Sequence, residues 1–459
     1  MQEPCAEAKT IKPIFDRRAG ILLHPTSLPS GCLDGDVERW LDLLQNTGVK
    51  IWQILPLVIP DETGSPYQSC SAFAINPALL SDQDRRRPVD ASEVEAFIGQ
   101  ESAWLADFAL YTVLKDRFNS LPWYKWDPVY CNRSSNALQK IRQEESEKIQ
   151  GIIKEQFRLQ KRWQDIRSKA NAKDIKIFGD MPIFVALDSA DVWSNQDQFL
   201  LDENHKPRYV AGVPPDYFSE TGQRWGNPHY NWERMRHDNF SWWRLRLKRM
   251  FEWFDIVRLD HFRGLEAVWM IPQDSETAVN GHWEKVPGQA MLTALQDDYP
   301  NLPIVAEDLG FITEEVRQLR QQFGLPGMAV LHFAFDHFED NPHKPKNYTA
   351  NTVAYTGTHD NNTTNGWFSH LDFAQRSFVS DILQLSDITD PAQQFISVLL
   401  DSRASLVIFP MQDVLGLGEE ARLNTPGTTS DNWQWRLDWG MISDSRLQSI
   451  KQGILHAGR

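Results

Sequence analysis

Asp255-Ile256-Val257-Arg258-Leu259-Asp260, DIVRLD, reads as a short strand that ends on an acid. Seven other short runs look alike: Gly20–His24 (GILLH), Ile51–Leu55 (IWQIL), Ile175–Asp180 (IKIFGD), Pro303–Glu307 (PIVAE), Met328–Phe333 (MAVLHF), Thr352–Thr356 (TVAYT) and Leu406–Phe409 (LVIF). They are too short and too apolar for the edges of an antiparallel sheet. They read as parallel strands buried on both faces. Helical patterns separate most of them. Ile149, Ile152, Ile153, Phe157, Leu159, Trp163 and Ile166 mark one face of a charged helix before the third run. Phe240, Trp243, Leu247, Met250, Phe251 and Phe254 do so before the fourth, with Asp238 expected as N-cap.

Eight strands alternating with helices predict an α/β fold, a (β/α)8 TIM barrel. The wide gaps after strands 2, 3 and 4 are too long for bare loops. They predict insertions at about 60–145, 186–235 and 265–290, forming subdomains around the barrel mouth. The whole chain, 1–459, is expected to be one catalytic domain.

Reactive groups of such barrels collect at the C-terminal ends of the strands. Three of these ends carry acids: Arg258-Leu259-Asp260-His261, Ala306-Glu307-Asp308 and Thr358-His359-Asp360. Residues i and i+2 share a strand face, so an Arg258–Asp260 ion pair is expected, with Arg258 near solvent. Asp260 and Glu307 are 47 residues apart and Glu307 and Asp360 are 53, about one βα unit or a little more. The three acids can therefore converge. Two carboxylates of split pKa are what glycosidic cleavage needs, one ionised and one holding its proton. The same residues also admit a divalent-metal site, although no H-x-H pair or H-E-x-x-H motif is present. A carbohydrate-binding protein without turnover is a third reading.

Charge and composition narrow the classes. The chain has 47 Lys and Arg against 62 Asp and Glu, a net charge of −15, which argues against nucleic acid and anionic membrane surfaces as partners. No run of eighteen apolar residues occurs. Residues 1–20 show no hydrophobic stretch of the secretory kind. The four cysteines, Cys5, Cys32, Cys70 and Cys131, are scattered, as suits reduced thiols in a cytoplasmic protein. Eighteen tryptophans supply either sugar-binding faces or core material. The segments Ser65–Gln68 (SPYQ) and 212–228, rich in Pro and Gly, read as ordered loops that offer Tyr67, Tyr217, Phe218 and Trp225 to a ligand of rings and hydroxyls.

Several longer stretches carry a resemblance. Gly20–Gly31 (GILLHPTSLPSG), Ser65–Pro77 (SPYQSCSAFAINP), Gly179–Trp193 (GDMPIFVALDSADVW), Gly212–Tyr230 (GVPPDYFSETGQRWGNPHY), Arg258–Gly264 (RLDHFRG), Thr277–Gly288 (TAVNGHWEKVPG), Ala306–Gly310 (AEDLG), Gly357–Asn361 (GTHDN) and Leu423–Thr428 (LNTPGT) closely resemble the 4-α-glucanotransferases of the amylomaltase, or disproportionating enzyme, family, relatives of the α-amylases. The resemblance implies transfer of α-1,4-glucan segments between maltooligosaccharides by retaining double displacement. Asp260 would be the nucleophile and Glu307 the general acid and base. Asp360 would stabilise the transition state. Arg258 and His359 would complete the central subsite, and Tyr67, Trp225, Ser65, Asp180 and Asn424 would contact the glucan. No metal or organic cofactor is implied. The expected partners are maltooligosaccharides, amylose or other α-1,4-glucans, for a monomer or small homo-oligomer. The alternative is an α-amylase-type hydrolase. Cys70, Ile75, His332 and Met270 depart from the family's usual pattern.

Overall fold

The computed structural model describes residues 16–215 and 219–459. Twelve strands are described: β1 Arg18–Leu22, β2 Ile51–Gln53, β3 Lys176–Met181, β4 Tyr209–Val213, β5 Gln223–Pro228, β6 Ile256–Leu259, β7 Ala267–Pro272, β8 His282–Lys285, β9 Ile304–Ala306, β10 Gly327–Val330, β11 Thr352–Tyr355 and β12 Leu406–Pro410. Eight of them, β1, β2, β3, β6, β9, β10, β11 and β12, pair in parallel and close into a barrel in chain order. These are the eight runs that the sequence marks out. The fold is a (β/α)8 barrel.

Strand alternation sorts the side chains. Phe178, Ile256, Val305, Met328, Val330, Val353, Tyr355, Leu406 and Ile408 meet in one buried cluster inside the barrel. The intervening residues, among them Ile177, Val257, Ile304, Ala306 and Val407, join the larger core between strands and helices. The inner face continues two residues at a time. It runs from Phe178 to Asp180, from Ile256 through Arg258 to Asp260, and from Val305 to Glu307. The register pairs Asp180 with Arg258 and Leu259 with Ala306, so Asp260 and Glu307 follow at the same level on neighbouring strands.

The predicted helix before the third barrel strand spans Ser146–Ala172. Its buried stripe includes Ile153, Phe157, Leu159, Trp163 and Ile166. The Trp163 indole donates to the Trp253 carbonyl at 2.9 Å and ties this helix to the next. That next helix, Ser241–Trp253, starts later than expected. Its N-cap is Phe240, in the left-handed region at φ 55, with no side-chain cap. Asp238 instead ends the preceding helix, Trp232–His237, although its carboxylate still accepts from Ser241 N at 3.2 Å.

A second sheet has the antiparallel order β5-β4-β7-β8. Residues 223–228, expected as loop, therefore form a strand. One sheet thus draws on two segments far apart in sequence, before and after β6. Tyr217 and Phe218, two of the expected ring donors, lie outside the described residues, as does Cys5. Cys32, Cys70 and Cys131 are free thiols. Ten of the eighteen tryptophans are buried, so most of the aromatic excess is core. Among the described residues no helix is long and apolar enough to cross a membrane.

Candidate active site

The barrel mouth holds a continuous chain of polar contacts. Arg258 Nη2 meets Asp260 Oδ1 at 2.8 Å, the expected pair. Arg258 Nη1 donates to both oxygens of Asp180 at 2.9 and 2.8 Å. The Tyr67 hydroxyl donates to Asp180 Oδ2 at 2.7 Å and stands 2.9 Å from His359 Nε2. Because that hydroxyl proton goes to Asp180, His359 carries its proton on Nε2 and donates to the Tyr67 oxygen. His359 Nε2 lies 3.4 Å from Asp360 Oδ1, and Asn424 Nδ2 donates to the same oxygen at 2.6 Å. The chain runs from one predicted acid to another. It also corrects one expectation. Arg258 is not near solvent: it is 5% exposed, because Asp180 beside it is buried on the barrel's inner face.

Glu307 stands next to this chain. Its Oε2 accepts from His261 N at 2.7 Å and its Oε1 from Leu309 N at 3.0 Å. His261 reaches that bond from a left-handed backbone, φ 52, an uncommon conformation for a residue with a side chain. Burial pushes the Glu307 carboxyl up to about 7, and the Asp260 charge adds to the rise against the pull of Arg258. Asp308, next in the chain, is spent on structure. It accepts from Met328 N at 2.8 Å and pairs with Arg320 at 3.1 Å. Successive strand residues face opposite ways, so Glu307 turns to the mouth and Asp308 to the helices.

Besides Glu307, two predicted residues lie off the chain. Ser65 Oγ accepts from Tyr67 N at 3.3 Å and shapes the loop that presents Tyr67. Trp225, on β5, packs its ring edge-on to His261 at 4.9 Å. One residue escaped the sequence reading. The Trp433 ring lies 6.1 Å from Tyr67 and 5.9 Å from His359, on a backbone at φ 64. Its tract, Asp431-Asn432-Trp433-Gln434-Trp435, carried only a second Trp as signal.

Barrel and mouth acids give the architecture, and comparison with known proteins gives the family. The family model described as 4-alpha-glucanotransferase matches residues 23–86 and 81–442. The chain belongs to the 4-α-glucanotransferase family. It is 41% identical to the 4-alpha-glucanotransferase of Thermus thermophilus, across 95% of this chain and 98% of that protein. It is 39% identical to the chloroplastic/amyloplastic 4-alpha-glucanotransferase of Arabidopsis thaliana, across 92% of this chain and 81% of that protein. The amylomaltase of Streptococcus agalactiae, solved with acarbose, superimposes with a TM-score of 0.92 at 33% identity, over 96% of this chain and 99% of that one. An α-amylase of Geobacillus thermoleovorans shares the fold alone, with a TM-score of 0.51 at 11% identity over 98% of this chain and 80% of that one. The chain is thus a 4-α-glucanotransferase, an enzyme, and its named relatives do not favour the hydrolase reading.

Proposed function

We propose that the chain moves α-1,4-glucan segments between maltooligosaccharides by retaining double displacement, with Asp260 as nucleophile and Glu307 as acid and base. The observation that carries this reading is the contrast between the two carboxyls. Asp260 has an arginine within 2.8 Å, whereas burial and the neighbouring charge raise Glu307 to about 7. One acid is paired with an arginine, and the other keeps a proton near neutral pH.

Asp260 attacks the anomeric carbon while Glu307 gives its proton to the leaving O4. A β-linked glycosyl ester on Asp260 results, and the first glucan segment departs with the proton. The 4-OH of a second glucan then attacks, Glu307 takes its proton, and the Asp260 ester bond breaks. Asp360 and His359 hold ring hydroxyls of the distorted sugar. Arg258 and Asp180 fix the nucleophile from behind, and Tyr67, Asn424 and Trp225 border the glucan path. No step calls on a metal or an organic cofactor. The substrates of this scheme are maltooligosaccharides, amylose or other α-1,4-glucans. The scarcity of Lys and Arg relative to acids supports a neutral sugar over an anionic partner. We place the enzyme in the cytoplasm, on its scattered free thiols. The insertions at about 60–145, 186–235 and 265–290 serve as the walls of the glucan groove.

An activated donor, an α-glucosyl or maltosyl fluoride, tests the assignment. Fluoride needs little protonation to leave, so Glu307→Gln should form the ester and fail to resolve it without an acceptor. Peptide mass analysis should find one glycosyl unit on the peptide that contains Asp260. A glycosyl adduct on any other carboxylate overturns the assignment of the nucleophile.

A further inference from the structure

The loop that carries His359 and Asp360 is closed at its neck by one carboxylate. Thr356 directly follows β11, and Thr364 opens the helix Thr364–Ser369, so the two bracket residues 357–363. Thr356 Oγ donates to Asp413 Oδ2 at 2.5 Å. Thr364 Oγ donates to the same oxygen at 2.7 Å, and Thr364 N donates to Oδ1, also at 2.7 Å. Asp413 belongs to the helix Met411–Leu415, which begins where β12, the strand beside β11, ends. A neighbouring βα unit therefore grips both ends of this loop.

Asp413 is 1% exposed, and its three bonds all come from neutral donors. Burial of a carboxylate without a cation beside it is costly. A barrel that needed only packing here would do better with an apolar side chain. The three bonds are what the carboxylate supplies.

The loop is stiff above this neck and supported below it. Asn361 Oδ1 accepts from Thr358 N at 2.8 Å and from Thr358 Oγ at 2.9 Å. Asp360 N in turn donates to Thr358 Oγ at 3.3 Å. Below, His332 stacks on Trp367 at 4.8 Å. Its Nε2 lies 3.0 Å from Thr364 Oγ. The Thr364 proton goes to Asp413, so His332 donates here from Nε2. The same ring sits on Gly357, where a Cβ would come within 2.9 Å of Cε1. Such internal bonding lets the position of the neck carry through to the residues above it.

We propose that Asp413 is a positioning residue for glucan transfer, closing the neck of the 356–364 loop and so fixing where His359 and Asp360 stand against the sugar at the reacting bond. This rests on the roles assigned above to Asp360 and His359. Asp413 itself bonds to none of the mouth acids. Its effect passes through the loop, and a displacement of about 1 Å in such a group costs up to ~10²-fold in rate.

The test measures kcat and KM for maltotriose transfer in Asp413→Ala, Asp413→Asn and Thr356→Val, alone and in an Asp360→Asn background, with thermal melting to verify folding. Asp413→Ala should lower kcat about 30- to 100-fold with KM within about threefold. Asp413→Asn should recover to within about fivefold, since its oxygen still accepts from Thr364 N and its amide donates to the hydroxyl oxygens. In the Asp360→Asn background the Asp413→Ala loss should shrink below about threefold, as coupled residues require. A merely structural role would leave that loss unchanged. Equal losses in both backgrounds, or wild-type kcat in folded Asp413→Ala, overturn the proposal. If Asp413→Ala does not fold, Thr356→Val decides. It removes one donor, and wild-type kcat there overturns the proposal, whereas a lower kcat at unchanged KM supports it. Wild-type turnover in Asp360→Asn alone overturns the role of Asp360, and the positioning role falls with it.

Discussion

Glu307 shows how a single position sets the working pH. Its carboxyl ordinarily titrates near 4.5, and burial raises it to about 7. The first step needs the protonated form, so kcat/KM should fall about tenfold per pH unit above that value. Initial rates across pH 5–9 check this. The alkaline limb should vanish with a glycosyl fluoride donor, and a limb that persists with fluoride contradicts the acid role. Stability carries the same signature with a definite sign. Between 4.5 and about 7 the folded chain holds a proton that the unfolded chain has lost, so this group's contribution falls as pH rises through that window. Glu307→Gln removes the cost. It should be inactive on maltotriose, and its stability relative to the wild type should rise by on the order of 1–3 kcal/mol between pH 5 and pH 8. A stability difference between the two that stays constant from pH 5 to pH 8 would refute the raised pKa. Acids at three strand ends were legible in the sequence because each follows an apolar run. Arg258's burial was not, because its second partner, Asp180, comes from a strand 78 residues away.

At the level of elements, the long helix Ser146–Ala172 depends on Trp163, fully buried, tilted on Trp52 at 6.1 Å and bonded to the Trp253 carbonyl. Trp163→Ala leaves a large cavity and an unbonded carbonyl, and should cost about 3–5 kcal/mol in denaturant unfolding. A loss under about 1 kcal/mol would mean that this helix is held elsewhere. The helix and the barrel strands were readable because burial on one or both faces leaves a plain apolar pattern. The stripe still overstated the contact: Ile149 and Ile152 at the helix start are only half-buried. The sheet β5-β4-β7-β8 left no such pattern. Its strand Gln223–Pro228 is polar, half-exposed and rich in Gly and Pro, and its outer strand His282–Lys285 is exposed at three of four positions. Antiparallel pairing of β5 with β4 and of β8 with β7, rather than local preference, makes these segments strands.

For the whole molecule, barrel closure decides what the acids can do together. Asp260 and Glu307 follow neighbouring strands at one level, and Asp360 comes two strands further round. The spacing in sequence pointed to convergence, but the contacts that join Asp260 to Asp360 run through Asp180 on β3 and through Tyr67 and His359 on two loops, and appear only when the barrel closes. Trp433 and Asp413 stayed hidden as well: Trp433 follows no barrel strand directly, and Asp413 lies within the short helix Met411–Leu415 after β12. Transfer in place of hydrolysis requires that the site favour a sugar hydroxyl over water once the ester has formed. The most direct test is to incubate the purified protein with maltotriose, separate the products and count reducing ends. Glucose together with a ladder of oligomers above three units, at a constant number of reducing ends, is the predicted result. A rising number of reducing ends with only shorter sugars would contradict it.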